Sequence, residues 1–196
     1  MGRKLLVTAL LLGALGLAGQ SGYLLVKARL AQWLLAFAWD QQLADGRLHR
    51  PWPWADTYPI ARLTFPERNL RLLVLAGASG RNLAFAPAHL SASVTPGQVG
   101  VSVIGGHRDT HFDFLARLRP GEPLLLQTAD GRMRHFAVAA SQITDIRQST
   151  IRLQAEAPVL ALVACYPFDA LTAGGPLRYL VIARSTEPPL GAGTAL

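Results

Sequence analysis

Residues 158–168 read Pro-Val-Leu-Ala-Leu-Val-Ala-Cys-Tyr-Pro-Phe, an apolar run that ends on Cys165, the only cysteine of the chain. A short apolar run bounded by prolines predicts a strand that is buried on both faces. Pro167 cannot donate to a sheet ladder, so the strand must end close to the thiol. Cys165 is therefore expected at the mouth of a strand, where it is either a small buried hydrophobe or a nucleophile.

Two further stretches place reactive side chains at the ends of predicted strands. A β-rich run over 99–104 stops at a glycine pair, and His107 follows at once. Arg178 opens a run over 177–184 after a Gly-Gly-Pro loop. A thiol that attacks, an imidazole that moves protons and a guanidinium that holds developing negative charge form a set suited to acyl transfer. A histidine after a glycine pair is also typical of a structural turn, so both interpretations stand at this point.

Together these motifs resemble the sortase family. The basic residue stands 13 positions after the cysteine (178 − 165 = 13), and a Gly-His pair lies upstream. The phrases HRDTHF, CYPFDAL and GGPLRY are similar to the Gram-negative branch, class GN. The resemblance covers roughly residues 51–184 and implies an eight-stranded β-barrel with His107, Cys165 and Arg178 as its catalytic residues.

One departure from the family pattern precedes the cysteine. The usual sortase strand reads Thr-Leu-x-Thr-Cys, whereas this chain has Ala161 and Ala164 in place of the two threonines. The hydroxyl before the nucleophile is missing. Any hydrogen bond that it gives to the substrate or the oxyanion must therefore come from elsewhere, which affects rate and substrate preference more than the type of reaction.

The N-terminus predicts a membrane anchor. From Leu5 to Val26 the chain has 22 uncharged residues, close to the roughly 20 that cross a bilayer as a helix. Two basic residues precede this run and two follow it, so the positive-inside rule does not orient it. A cleaved signal peptide is the alternative, with small residues for cleavage at 18–20. The length favours an uncleaved anchor.

A second helix is expected over 27–43, where apolar residues recur at helical spacing. Its two tryptophans, Trp33 and Trp39, suit either a membrane interface or packing on the following domain. Residues 50–54, Arg-Pro-Trp-Pro-Trp, cannot be helical because two prolines flank Trp52. They predict an extended connection that lays two indoles on a surface.

The remaining chain predicts a mainly β domain with short helices. From Tyr58 onward short apolar runs alternate with turns, and Asp130-Gly131 is a strong hairpin signal between the runs at 124–128 and 133–139. This spacing favours a barrel or a sandwich, and the family resemblance implies the sortase barrel. The expected division is 1–26 anchor, 27–54 juxtamembrane helix and Pro/Trp linker, 55–185 catalytic domain and 186–196 disordered tail.

Composition limits the partners. The net charge of +7 comes from +4 in residues 1–54 (6 − 2) and +3 in residues 55–196 (13 − 10). The excess near the anchor favours an anionic membrane surface, and no basic-aromatic pattern supports nucleic-acid binding. One cysteine and scattered histidines give no metal-ligand spacing, and no phosphate-binding loop is found. We therefore expect no metal and no cofactor.

The resemblance implies a cysteine transpeptidase that cleaves an LPxTG-like C-terminal sorting signal of a protein substrate. The enzyme passes the acyl group to an amine acceptor through a thioacyl intermediate. With the anchor, this implies a single-pass inner-membrane protein whose catalytic domain lies in the periplasm. Two alternatives stay open at this stage. One is a thiol hydrolase of the same fold that releases its substrate to water, and the other is a non-catalytic binding module with a buried Cys165.

Overall fold

A computed structural model of the chain describes residues 2–148, 150–170 and 174–187. Its N-terminal element is a single helix, α1 (Gly2–Asp45). The anchor and the juxtamembrane helix, expected as two elements, are thus continuous, because no proline separates them. Gly46 ends the helix in the left-handed conformation, with its N–H bonded to the Gln42 carbonyl at 2.9 Å.

Eight strands follow α1 and close into a barrel, as predicted. Their order around the barrel is β1-β2-β3-β4-β7-β8-β6-β5, with parallel pairs only between β2 and β3 and between β4 and β7. The strands are β1 (Pro59–Phe65), β2 (Leu70–Ala76), β3 (Ala88–His89), β4 (Gly100–Gly105), β5 (Pro123–Thr128), β6 (Met133–Asp145), β7 (Pro158–Cys165) and β8 (Leu177–Ser185).

The helices outside α1 are short. They are α2 (Gly80–Leu83) and two 3-10 turns, Pro66–Arg68 and Leu115–Arg117. The side chain of Ser79 caps α2 by accepting the Asn82 N–H.

Strand β6 differs from its prediction. The run expected at 133–139 continues to Asp145 in one 13-residue strand, with a register shift between Val138 and Ala140. The irregularity lets one long strand bend around the barrel and pair with β5 at one end and β8 along its length.

Strand β7 is buried on both faces, as its apolar run predicts. Leu160, Leu162 and Ala164 point into the main core of the barrel. Ala161 and Val163 point to the outer face, where they pack with residues of β4 and β8 in a second apolar cluster. Since side chains alternate along a strand, Cys165 continues the outer row.

The C-terminal part of α1 packs on the barrel. Residues 2–30 are exposed wherever their side chains are described, and burial begins at Ala31. Leu35 and Trp39 are fully buried, whereas Trp33 is 60% exposed and stacks on Phe37. Trp39 therefore packs on the domain, as one interpretation of this helix predicts, whereas Trp33 faces away from it.

The tail contacts the barrel at its beginning. Thr186 donates its N–H to the His135 carbonyl at 3.0 Å, and Glu187 accepts from the His135 N–H at 3.0 Å and from Arg134 at 3.2 Å. Residues 188–196, expected to be disordered, lie outside the described residues.

Candidate active site

Cys165 and Arg178 face each other across the β7–β8 ladder. They are direct partners in its antiparallel register, so both side chains stand on the outer face of the barrel. Tyr166 donates to the Leu177 carbonyl at 3.1 Å, which makes the adjacent Cys165–Arg178 pair a non-hydrogen-bonded one. In such a pair the Cα atoms are only about 4.5 Å apart. The side chain of Arg178 therefore leaves the sheet beside that of Cys165.

His107 stands on the other side of Cys165. Strands β4 and β7 are parallel with a constant offset of 58 residues, from Gly100 opposite Pro158 to Gly105 opposite Val163. The separation of His107 from Cys165 is also 58 (165 − 107). The Gly106 N–H still donates to the Val163 carbonyl at 3.0 Å. His107 therefore leaves the ladder level with the thiol.

The structure thus brings the three predicted site residues to adjacent positions. Cys165 ends the middle strand, with His107 beyond the end of β4 on one side and Arg178 in β8 on the other. The thiol residue is half-buried and His107 is exposed, so the site opens to solvent and to a ligand. This is the arrangement that a nucleophile, a proton carrier and an anion-binding group require.

The loop that presents His107 has a tight turn. The Phe112 N–H donates to the His107 carbonyl at 3.0 Å, and the Phe112 ring is fully buried under Gly106. A Cβ atom at Gly106 would lie 2.6 Å from that ring, so only glycine fits this position. The second glycine of the pair is needed for this close approach.

His111 lies close enough to His107 for a charge on His107 to lower the pKa of His111. Burial lowers the pKa of His111, a positive charge on His107 lowers it further, and a hydrogen bond to the Ala84 backbone partly opposes both. His111 is therefore neutral at a pH where an exposed histidine begins to protonate. Its hydrogen bond ties the turn that carries His107 to the residues just after α2.

Arg108 is a residue of the site region to which the sequence assigned no role. Its side chain is buried, and it donates to the carbonyls of Pro167 at 2.7 Å and Ala170 at 2.8 Å. Both acceptors belong to the loop that follows Cys165. Arg108 therefore joins the loop after the histidine strand to the loop after the cysteine strand. Its place in the phrase HRD was visible in the sequence, but its burial was not.

Arg178 has a different environment. Its Nη1 donates to the carbonyls of Gly175 and Leu177, both at 2.8 Å, and the side chain is only partly buried. Gly174 and Gly175 have φ values of 104° and 85°, which favour glycine and let this loop fold back toward the guanidinium. Arg184, six residues further along β8, is exposed and pairs with Val159 at the far end of β7.

Three aromatic rings hold the chain immediately after the thiol. Tyr166 stacks on Tyr179 with ring centroids 6.3 Å apart, and Phe168 contacts Tyr179 edge-on at 5.4 Å. Tyr179 is the ladder partner of Ala164. Aromatic pairs of this kind add about 0.5–1.5 kcal/mol each beyond the area that they bury. They fix the exit of β7 from the barrel.

An apolar surface extends from the site along the outer face of the barrel. It is formed by alternate residues of three strands: Val101 and Val103 of β4, Val159, Ala161 and Val163 of β7, and Leu180 and Ile182 of β8. Ile151, Leu153 and Ala155 of the β6–β7 connection pack against its far part. The Val101 N–H donates to the Leu153 carbonyl at 2.9 Å, which pins that connection to the sheet.

The two alanines that replace the family threonines point in opposite directions. Ala164 lies in the barrel core with 2% exposure, and Ala161 lies on the outer face with none. A side chain at 164 faces away from the outer face of the barrel, where Cys165 lies. The lost hydroxyl at this position is therefore a change inside the core.

Several other polar and aromatic residues have structural roles or lie in solvent. Asp109 is exposed and accepts from Arg108 Nε at 3.2 Å, which fits a solvated loop acid better than a partner of an imidazole. His89 is buried and hydrogen bonded to the Val94 carbonyl at 2.9 Å. Trp52 packs edge-on against Phe85, whereas Trp54 is 81% exposed. The described residues include no group of three potential metal ligands.

Comparison with known proteins agrees with this geometry. A sortase domain model matches residues 63–186, which is more than half of the chain and includes all three candidate site residues. The chain belongs to the sortase family. Sortase D of Bacillus subtilis (strain 168) is 31% identical over 119 residues, a match that covers 61% of this chain and 60% of that protein. The chain thus spans less than two thirds of the length of this relative.

Solved structures show that this sortase has the fold of its family. Sortase A from Corynebacterium diphtheriae superposes with a TM-score of 0.60 at 23% identity, over 70% of this chain and 65% of that one. A lid mutant of the same enzyme gives 0.61 at 21% identity, over 82% and 92%. A Clostridium perfringens Sortase D5 transpeptidase gives 0.57 at 19% identity, over 66% and 80%.

Proposed function

We propose that this sortase is a membrane-anchored cysteine transpeptidase that cleaves an LPxTG-like signal near the C-terminus of a protein substrate. The observation that carries the proposal is the position of Cys165 between His107 and Arg178 at the ends of three adjacent strands. Membership of the family supports the same chemistry, and a transpeptidase is among its structural relatives.

The proposed reaction has two acyl transfers. The Cys165 thiolate attacks the scissile carbonyl carbon, and Arg178 stabilises the negative charge that develops on the carbonyl oxygen. Collapse of this intermediate breaks the C–N bond, and His107 gives a proton to the leaving amine. An incoming amine then attacks the thioester, loses a proton to His107 and releases the thiolate. Over the two transfers one amide bond is broken and one is formed.

The groove supports a peptide substrate. The outer apolar row next to Cys165 offers the half-buried Val163 to an uncharged side chain, while backbone groups near the strand ends can pair with an extended chain. A membrane-bound acyl donor also fits α1, which is the one described helix long and apolar enough to cross a bilayer.

We further infer the class and the location. The phrases HRDTHF, CYPFDAL and GGPLRY support class GN, and with it an inner-membrane anchor over 1–26 and a catalytic domain over 55–185 on the periplasmic side. The segment 27–54 is then the connection between them, and 186–196 the tail. A C-terminal reporter that is active only outside the cytoplasm is the expected result. Activity of that reporter only in the cytoplasm contradicts the location.

The direct test is a turnover assay with the full chain in detergent. A fluorogenic LPxTG-like peptide is offered with and without a small amine, and the products are identified by mass spectrometry. A ligated product is expected with the amine, none is expected from Cys165→Ala, and His107→Ala should abolish turnover. Release of the acid alone, at every amine concentration, identifies the hydrolase instead.

Thiol labelling separates the enzyme from a binding module. Because Cys165 is half-buried and not sealed in the core, a small alkylating reagent should modify it in the folded protein. Modification should become slower in Arg178→Ala, which removes the neighbouring cation. A thiol that reacts only after denaturation contradicts the proposed enzyme.

A further inference from the structure

A basic cleft lies between α1 and the outer face of β1 and β2. Its volume is about 300 Å³, and its walls carry Gln32 and Ala36 of α1, Arg62 of β1, Arg71 of β2 and His111. Gln32 donates to the Phe85 carbonyl at 2.7 Å, which joins the α1 wall to the barrel. Among the described residues that line the cleft, none is an aspartate or a glutamate. In the barrel order β2 is three strands away from β7, so the cleft is separate from the outer face that carries Cys165.

The two arginines of the cleft are diagonal neighbours on the sheet. In the antiparallel β1–β2 ladder, Arg62 is opposite Leu73 and Arg71 is opposite Thr64. Since side chains alternate along a strand, both arginines project from the outer face, with Cα atoms roughly 7–8 Å apart. Both guanidiniums can therefore reach one small ligand in the cleft.

Most of the hydrogen-bonding capacity of this pair is unused within the described part of the chain. Arg71 is exposed and has no hydrogen bond or ion pair with a described residue. Arg62 donates once, at 3.3 Å, to Asp40, a carboxylate that is itself 69% exposed. The Arg62 guanidinium lies over the Trp39 ring at 5.6 Å, which holds it in place. Because each guanidinium has five N–H donors, the pair can bind a further acceptor.

The chemistry of the cleft favours a phosphate group. Guanidiniums bind oxyanions through pairs of parallel hydrogen bonds. Two guanidiniums from different strands can bind two edges of a tetrahedral phosphate, whereas a carboxylate offers one edge with two oxygens. Arg29 adds positive charge, because it lies three residues before Gln32 on the same side of α1. Asp40 offsets only one of these charges, so positive charge stays in excess.

His111 is a third donor at this cleft. Burial and a charge on His107 lower the pKa of His111, so its ring is neutral near neutral pH. An anion in the cleft would favour the protonated ring, which donates from both nitrogens. The other charged groups around the cleft are Arg29 and Asp40 of α1, Arg62 of β1 and Arg71 of β2, and the segment 85–87 adds no titratable group.

We propose that this cleft binds a phosphate group through Arg62, Arg71 and His111. The bound group joins the β1–β2 sheet to the turn that presents His107, since the Phe112 N–H closes that turn on the His107 carbonyl. Either free phosphate or the headgroup of a phospholipid around α1 supplies the group. This site is separate from the proposed acyl-transfer chemistry and does not depend on it.

Binding can be measured on the full chain in micelles of an uncharged detergent, freed of phospholipid. Inorganic phosphate, titrated by calorimetry near neutral pH at constant ionic strength, should give one saturable site. Arg71→Ala should weaken this binding at least about tenfold, because it removes a charged donor pair. Arg71→Lys should lie between the two. Arg184→Ala, an exposed arginine on the outer face of β8, is the matched control and should bind like the wild type.

Asp40→Asn should change the affinity in the opposite direction. Because Asp40 competes with the ligand for Arg62, its removal should tighten phosphate binding about two- to fivefold, the effect of an exposed ion pair. A variant that only loosened the fold would not bind more tightly. Asp130→Asn removes a similarly exposed carboxylate, 3.3 Å from Arg132 in the β5–β6 hairpin. It controls for the change in overall charge and should leave the affinity unchanged.

The pH dependence of binding tests His111. Sulfate remains a dianion from alkaline to mildly acidic pH, so its binding reports protonation of the protein alone. Its affinity should rise as the pH falls below about 6.5, because protonation of His111 adds a cation to the cleft. His111→Gln should show a weaker rise. An equal rise in both proteins overturns the assignment of His111 to the site.

The two sources of the phosphate group can be told apart with lipid. Competition between phosphatidylglycerol added to the micelles and inorganic phosphate identifies a lipid headgroup, and undisturbed phosphate binding identifies free phosphate. Phosphatidylcholine, whose headgroup has no net charge, is the control lipid. The proposal is overturned if the wild type shows no saturable binding, if Arg71→Ala binds as tightly, or if acetate binds equally well. Since none of these measurements uses turnover, a failure of the proposed function leaves their outcome intact.

Discussion

Arg178 pairs with Cys165, Arg108 binds the loop that follows Cys165, and the two arginines have different environments. Arg108 is buried and donates to two carbonyls of the loop that follows the thiol. Arg178 is partly exposed, stands opposite Cys165 in the ladder and donates to the carbonyls of Gly175 and Leu177. A buried guanidinium that donates to loop carbonyls is part of the framework, whereas one at an open surface can meet a charge that forms during reaction.

Two more arginines extend this comparison. Arg68 donates to both carboxylate oxygens of the buried Glu122, at 2.7 and 3.0 Å, and to the Arg117 carbonyl at 2.7 Å. Arg184 is exposed at the far end of β7 from the thiol. All four residues are arginines. Replacing them should therefore affect activity and stability differently only because of their positions.

Arg178→Ala is expected to have the largest effect, on turnover. Loss of one oxyanion donor elsewhere lowers the rate by roughly 10²–10³, or about 3–4 kcal/mol. Arg178→Lys keeps the charge but loses the planar donor pair, so its rate should lie between those of Ala and wild type. The rate constant kcat for an LPxTG-like peptide is measured across pH. The pH profile of kcat should have the same shape in both variants as in the wild type, because no group that titrates near neutral pH is removed.

Arg108→Ala should act mainly on the free energy of unfolding. It leaves two carbonyls without their charged donor and a space in the loop packing, which we expect to cost roughly 2–4 kcal/mol. Denaturant unfolding of the full chain in micelles checks this, with Arg178→Ala as the control that should lose less than about 1 kcal/mol. Equal losses from both variants would break the distinction between the two arginines.

Glu122→Gln tests the ion pair of Arg68 and Glu122 through the pH dependence of stability. Burial raises the pKa of the Glu122 carboxyl, but hydrogen bonds from Arg68 and the Arg119 backbone, with their charges, outweigh it, so the pKa lies below its ordinary value of 4.5. A lowered pKa stabilises the fold above the unfolded value and loses that contribution as the pH falls through the folded one.

Unfolding measured from pH 7 down to pH 3 should therefore show a loss of stability below about pH 4.5 in the wild type. Glu122→Gln should lose about 1–3 kcal/mol at neutral pH and show a weaker acid dependence. Turnover at neutral pH should change little while the protein stays folded. A steeper acid loss in the variant would contradict the assigned pair.

Arg184→Ala should have the smallest effect. The side chain is exposed and sits six residues along β8 from Arg178, about 20 Å at ~3.3 Å per residue. Substitutions at such positions usually change stability by less than about 0.5 kcal/mol. Activity and unfolding should both stay near wild type. An inactive Arg184→Ala with an active Arg178→Ala would mean that the wrong end of the strand had been assigned to the site.

The sequence by itself determined where the strands that carry the candidate site residues end. The apolar run and Pro167 predicted a strand that stops at Cys165, and β7 ends there. The glycine pair predicted that β4 stops before His107, and it does. These signals are local, since alternation, prolines and glycines restrict the backbone within a few residues. The barrel followed from the family resemblance more than from the pattern, which also allowed a sandwich.

Only the tertiary structure decided how these ends meet. The parallel register of β4 and β7 joins residues 58 positions apart, and no local rule fixes such an offset. The burial of Arg108 depends on a loop that comes some 60 residues later, so its neighbours in sequence could not reveal it. Likewise, the sequence does not distinguish Trp33 from Trp39. Their burial differs only because the barrel covers one side of α1.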